Sequence, residues 1–319
     1  MRTLTVLSLS LLLFLTLTAC AGNSDGVTIP RADEPVSGIA FVTERNGNRD
    51  IYLIQPDGTG LTPLFVSPAP DSDPAFSPDG QTIAFRSRRE GSSEIFLAAA
   101  DGSGAWVNVI GDPAESADDE FFPVWHPDGN LLALVTDRFL PPIGNCRGSL
   151  GVHHLGFLPL DQEVSIQHFD DLPGEQNSLA WSADGERLAF SSICAGDATQ
   201  LYAWERTTRA VTPLSEPGYN AFDPAFSPDG KWLAFASDRE GVVNVYLLAL
   251  ATGEVRNLTQ SEFTDSHPTW SPDSQWVAFN RNLGGNDEIF VIAVTGGAAK
   301  NLTNDPGADL FPAWGTGKE

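Results

Sequence analysis

The sequence predicts an all-β protein, a six-bladed β-propeller of four-stranded antiparallel blades in which the C-terminal strand completes the N-terminal blade. Three observations carry this. The octet Asp73-Pro74-Ala75-Phe76-Ser77-Pro78-Asp79-Gly80 returns letter for letter at 223–230. Three relatives, Phe122 to Gly129, Ser178 to Gly185 and His267 to Ser274, extend the series at a period of about 45 residues, the range in which self-similarity marks stacked supersecondary units. A last copy, Phe311 to Gly317, lacks the apolar strand that follows the others, whereas Ser37 to Val42 is such a strand with no octet before it.

Taken in chain order, the first element is not part of that fold. Arg2 precedes an apolar run from Leu4 to Thr18, followed by Ala19-Cys20, the pattern of a signal peptide over 1–19. The ending Leu17-Thr18-Ala19-Cys20 resembles the bacterial lipobox, which implies lipidation of Cys20 and a cell-envelope, extracytoplasmic location, periplasmic or at the outer surface. A transmembrane reading of residues 4–19 falls short of the roughly 20 apolar residues a bilayer needs. Residues 20–35 lack hydrophobic periodicity and read as a flexible tether, leaving 36–319 for the propeller.

Each octet opens a blade. Its Ser-Pro-Asp-Gly part is a turn: Pro presets φ, Asp bonds the local backbone, and Gly takes the positive φ that closes a hairpin. The second strand follows, as in Thr82 to Phe85, Leu131 to Leu134, Arg187 to Phe190, Trp232 to Phe235 and Trp276 to Phe279. A third strand is legible in Asp50 to Ile54, Glu94 to Leu97, Gln200 to Ala203, Asn244 to Leu247 and Glu288 to Val291. After a glycine turn a short fourth strand ends the unit, as at Leu61-Thr62 and Leu302-Thr303. Closure by the last octet removes sheet edges that would otherwise template aggregation.

The pattern P-x-[WF]-S-P-D-G-x-x-[LI]-A-F, with its later I-[YF] strand, resembles the WD-like Pro-Asp repeat of TolB-type β-propellers over residues 37–317. The resemblance implies the propeller and a protein- or peptide-binding or scaffolding role at the channel mouth, without catalysis and without a cofactor. Propellers of this kind also gate prolyl oligopeptidases and form oligogalacturonate lyases, so an enzyme acting on a polymer in the channel is the alternative, and a cation- or carbohydrate-binding surface protein another. A peptidase would add an α/β-hydrolase domain; the expectation here is none, since the G-x-S-x-G match Gly22 to Gly26 sits in the tether with no strand before it. A lyase metal site needs convergent ligands, and His126, His153, His154, His168 and His267 do not recur at one repeat position.

Composition narrows the partners. The formal net charge is −24, and removing residues 1–19 takes away Arg2 and no acid, leaving 17 basic and 42 acidic side chains, −25. Such a surface repels nucleic acid and anionic headgroups, so attachment to a membrane falls to the lipid on Cys20. Three residues before the repeat proline stand Asp71, Glu120, Asp265 and Asp309, with Gln176 and Ala221 in the other two units. These acids are expected to ring one channel mouth, as a cation- or partner-binding ring or as caps on loop amides. The aromatics Phe76, Trp125, Trp181, Phe226, Trp270 and Trp314 are expected between blades. Cys146 and Cys194 fall in loops on one face of neighbouring units and are expected to form a disulfide clamping the third unit's long insertion. The propeller is expected to be monomeric.

Overall fold

Six four-stranded antiparallel sheets follow one another around the ring. The computed structural model describes residues 28–110, 118–137, 153–161, 167–168, 172, 174–193 and 198–317. Blade 1 consists of β1 (Ile39–Thr43), β2 (Asp50–Ile54) and β3 (Thr62–Phe65), with β24 (Asp309–Trp314) as its innermost strand. Blade 2 holds β4 (Asp71–Phe76), β5 (Thr82–Ser87), β6 (Glu94–Ala99) and β7 (Val107–Asn108). Blade 3 holds β8 (Glu120–Trp125), β9 (Leu131–Thr136), β10 (His154–Pro159) and β11 (Gln167–His168). Blade 4 is built from β12 (Glu175–Trp181), β13 (Arg187–Ile193), β14 (Gln200–Glu205) and β15 (Val211–Pro213). Blade 5 is built from β16 (Ala221–Phe226), β17 (Trp232–Ser237), β18 (Asn244–Ala249) and β19 (Val255–Asn257). β20 (Thr264–Trp270), β21 (Trp276–Asn282), β22 (Asp287–Ala293) and β23 (Lys300–Asn301) complete blade 6.

The ring closes as the sequence predicts, with Ile39 paired to Trp314 and Ala40 to Ala313. Second strands sit between two strands of their own sheet and between two neighbouring blades, so both of their faces are buried and they read as apolar runs rather than alternations. In β5 Ile83, Ala84 and Phe85 are all fully buried, as are Leu233 and Ala234 in β17, where Phe235 is 2% exposed. Of the expected aromatics Phe76, Trp125, Trp181, Phe226 and Trp270 are buried and Trp314 is partly buried, and two of them bind the preceding blade directly: Trp125 Nε1 donates to the Ala75 carbonyl at 3.0 Å, and Trp270 Nε1 to the Ala225 carbonyl at 2.9 Å.

The S-P-D-G turn owes its recurrence to a small hydrogen-bond circuit. Ser227 Oγ donates to Asp229 Oδ1 at 2.7 Å and accepts from the Trp232 amide at 2.9 Å, while Asp229 Oδ1 accepts from the Lys231 amide at 3.1 Å. Ser77, Ser182 and Ser271 do the same with Asp79, Asp184 and Asp273, each at 2.6 Å. Gly80 stands at φ +70°, and a Cβ there would come within 2.7 Å of Thr316 Oγ1. Glycine is therefore required twice over, by conformation and by contact.

Strand direction gives the ring two faces. The turns after first and third strands lie on one, the turn face. The loops after second strands and those between blades lie on the other, the loop face. Residues 28–36 run along the turn face of blade 2: the Thr82 hydroxyl donates to the Pro30 carbonyl at 2.7 Å, the Ala32 amide to Gln81 O at 2.8 Å, and the Val36 amide to Gly80 O at 2.9 Å. Ala32 is 4% exposed, and Ile29 packs on the core between blades 2 and 3.

Candidate functional site

Every first strand carries a bulge at the residue pair that includes the repeat proline, or Ser178 in its place in blade 4, where its register with the next strand slips: between Ser72 and Ala75, Phe121 and Val124, Gln176 and Leu179, Phe222 and Ala225, and Ser266 and Thr269, with a matching slip between β24 and β1. In five blades the residue before the proline is left-handed: Asp73 at φ 53°, Phe122 at 50°, Asp223 at 51°, His267 at 51° and Phe311 at 51°. A residue preceding proline is normally extended, and a bulky side chain at positive φ is strained by about 1–3 kcal/mol. Bulges re-aim side chains. Here they turn these five residues into the central channel, where they line a cavity of about 560 Å³ that reaches the turn face past Pro78, Pro127 and Pro228.

The ring is wired from blade to blade. The Asp223 amide donates to Ser178 Oγ of blade 4 at 3.0 Å, and Asp223 Oδ2 accepts from the His267 amide of blade 6 at 3.2 Å. His267 Nδ1 lies 3.5 Å from the same carboxylate oxygen, and its ring meets Phe311 edge-on at 4.6 Å. On the opposite side Asp73, 6% exposed, is paired with Arg86 at 2.8 Å. That contact is out of line for a hydrogen bond, because the guanidinium donates instead to Ser72 Oγ, at 3.0 and 2.7 Å, and lies 5.1 Å from the Phe121 ring. The cavity thus offers one wall of Asp73, another of Asp223 and His267, and aromatic faces from Phe122 and Phe311.

The four acids singled out from the sequence lie toward the loop face, away from this cavity. Asp71, Glu120, Asp265 and Asp309 are all fully buried. Asp71 pairs with Arg89 at 2.8 Å, Asp265 takes both Nε and a terminal nitrogen of Arg281 at 2.7 and 2.8 Å, Asp309 holds Arg45 at 3.2 Å, and Glu120 accepts from the Thr136 hydroxyl at 3.1 Å. Burial pushes the carboxyls of Asp71, Asp265 and Asp309 above the usual range, against the hydrogen bonds and arginines that pull them down. What the loop face meets is therefore the arginines, each stacked on aromatic rings, as Arg89 is on Trp106 at 3.7 Å.

Cys20, Cys146 and Cys194 lie outside the described residues, as does the core of the third unit's insertion. Among the described residues no group of three His, Cys, Asp or Glu side chains could hold a metal ion. Among them, too, no helix is long and apolar enough to cross a membrane. Sequence reasoning missed the channel ring itself. Its signal was present: within an otherwise repeating motif, the residue before the proline position varies as Asp73, Phe122, Asn177, Asp223, His267 and Phe311.

A model of the TolB beta propeller domain matches residues 19–139 and 171–318. The Tol-Pal system protein TolB of Nitratidesulfovibrio vulgaris is 30% identical over 121 residues, 33% of this chain and 27% of that protein. Matches to the first curated relatives span only 13–27% of their lengths. Among solved structures, TolB from Acinetobacter baumannii superimposes with a TM-score of 0.72 at 22% identity, covering 87% of this chain and 66% of that one. A puromycin hydrolase superimposes with a TM-score of 0.57 at 15% identity, covering 88% of this chain and 47% of that one. At these identities the two structures speak for the fold alone.

Proposed function

The chain belongs to the TolB beta propeller family, and from that premise we propose that it is a lipid-anchored, extracytoplasmic binding module whose central channel holds a protein or peptide partner. The observation that carries this reading is the ring before the prolines. A fixed and strained backbone presents five side chains free to differ, which suits recognition and does nothing for the sheet. Asp71, Glu120, Asp265 and Asp309 enter as supports of the opposite mouth, three of them holding the arginines that rim it. The lipid sits on Cys20. Seven residues separate it from the packed strap at Thr28, a reach of about 25 Å, so the turn face and its cavity look toward the membrane. The disulfide between Cys146 and Cys194 clamps blade 3's insertion to blade 4, and titration of thiols in the denatured, non-reduced protein tests it: two free thiols dispose of it.

The central test compares the lipid-free propeller with a Phe122→Ala/Phe311→Ala variant of matched melting temperature in cross-linking to envelope extracts. A partner captured by the first and reduced at least tenfold with the second supports the channel; equal capture removes it. Labelling with a radioactive fatty acid tests the anchor, which Cys20→Ala should abolish. The alternative is a lyase or hydrolase centred on the channel. One observation favours it, the imidazole of His267 placed 3.5 Å from Asp223 inside the cavity. Turnover of a polymeric substrate that His267→Ala eliminates would establish that alternative.

A further inference from the structure

Among the described residues, four blades place an arginine over the aromatic pair of their second and third strands: Arg45 over Phe41 and Tyr52, Arg89 over Phe85 and Phe96, Arg239 over Phe235 and Tyr246, Arg281 over Phe279 and Phe290. In blades 1, 2 and 6 the first strand supplies a buried aspartate to that guanidinium. Blade 5 has Ala221 at the position, and among the described residues Arg239 has no acidic partner. The rest of the constellation is intact. Arg45 and Arg89 donate Nε to Thr43 Oγ1 and Ser87 Oγ at 2.8 and 2.9 Å, and Arg239 makes the same contact with Ser237, stretched to 3.4 Å. Thr43, Ser87 and Thr136 also hydrogen-bond the acid of their blade. Ser237 is fully buried, and its hydroxyl proton has no acceptor among the described hydrogen bonds. The position that supplies the carboxylate in sister blades here carries only a methyl group.

Beside this vacancy the junction of blades 4 and 5 is open. Between blades 1 and 2, Phe65 stacks on Phe85 at 4.8 Å, Trp106 meets both edge-on at 5.3 and 5.4 Å, and Arg89 lies on the tryptophan. Strand register puts Leu214 where Phe65 stands and Val255 where Trp106 stands. The smaller side chains leave a groove of about 390 Å³, lined by Leu214, Leu248, Leu250 and Val255 with Arg239 in its wall.

We propose that this groove is a second binding site, distinct from the channel and independent of the function proposed for it, which takes the C-terminal residue of a peptide ending in a bulky apolar side chain. The carboxylate pairs with Arg239, the guanidinium that an aspartate holds in sister blades, and the side chain packs on Leu214, Leu248, Leu250 and Val255. A terminus fits better than an internal acid because only there do a carboxylate and a large apolar side chain leave the same Cα. The protein's negative field opposes anions at long range, so recognition rests on this one guanidinium without a counter-charge and on apolar contact.

The test titrates the intact propeller with N-acetylphenylalanine and with its amide, reading binding by calorimetry and by thermal shift, since a ligand of the folded state alone raises Tm. The free acid should bind at least tenfold more tightly than the amide. Ala221→Asp should abolish that preference while raising Tm, because it restores a pair built twice elsewhere with the same arginine geometry. Val255→Trp should weaken both compounds. Acid and amide binding alike, the Ala221→Asp protein binding as the parent does, or an internal Asp-Phe amide matching the free acid would each overturn the proposal. So would a response seen only in Glu216→Gln, since Glu216 also lines the groove and would then be the occupant.

Discussion

Blades 2 and 5 open on identical octets, yet they face their preceding neighbours in opposite ways. Blade 2 meets blade 1 through three packed aromatics, Phe65 face to face with Phe85 and Trp106 edge-on to both, beside blade 2's own ion pair between Asp71 and Arg89. Blade 5 meets blade 4 through Leu214, Phe235 and Val255, with Ala221 in place of the acid and a groove left open. What is shared, DPAFSPDG, builds the bulge, the channel wall and the turn. What differs lies outside the octet. The pair teaches that a repeat motif secures the blade, while the junction between blades is set by residues the motif does not include. It also shows why an acid can be dispensed with there: burying a charge pair comes close to break-even against desolvation, consistent with the upward displacement of the Asp71 carboxyl.

The largest expected difference between the junctions comes from their central rings. Phe85→Ala should lower unfolding free energy by about 5 kcal/mol and Phe235→Ala by about 3 kcal/mol, the span for core phenylalanine truncation, because the first loses a stacked partner in Phe65 and an edge-on one in Trp106 and the second lies beside a groove that can absorb the change. Urea denaturation measures both, and equal losses would erase the contrast. Next, Asp71→Ala should cost about 2 kcal/mol, below the 3–5 kcal/mol of a fully buried pair because Arg89 is 23% exposed and can turn to water. The shared turn should give the same answer twice: Ser77→Ala and Ser227→Ala should each cost about 1–2 kcal/mol, for a buried hydroxyl with both donor and acceptor roles lost. Values differing by more than 1 kcal/mol would mean the octets do not act alike.

The smallest effect is in pH. Asp71, Asp265 and Asp309 are held above the ordinary carboxyl range by burial, so their folded forms bind protons more tightly than the unfolded chain does. Stability should therefore rise as pH falls from neutral toward that range. Asp57, Asp101 and Asp184 are held below it by hydrogen bonds from Thr59, Ser103 and Ser182, and their contribution, present above the unfolded value of 3.8, is lost as pH falls through their folded values. Thermal unfolding should show a maximum on the acidic side of neutral. Hydrogen exchange should show the gain in blade 2 and not in blade 5, which has no buried acid at Ala221.

The strands, the turns and the ring closure were legible in the amino acids because each depends on short-range chemistry: proline and glycine at fixed offsets, a serine–aspartate circuit, an apolar run flanked by both. The acids were found but their state was not, since whether a carboxylate faces a channel or an arginine depends on a residue 18 positions away, as Asp71 and Arg89 show. The channel ring stayed hidden because a residue before proline reads as extended backbone, and only the bulge, with the next strand holding its register, turns Asp73 or Phe122 inward. The groove was further still from view. Val255 and Leu214 read as ordinary strand residues, and their smallness acquires meaning only where two blades from distant parts of the chain come together. Sequence by itself determined what repeats, because repetition is written in local propensity. Tertiary structure decided what the repeats leave open, because a vacancy exists only between surfaces that folding brings face to face.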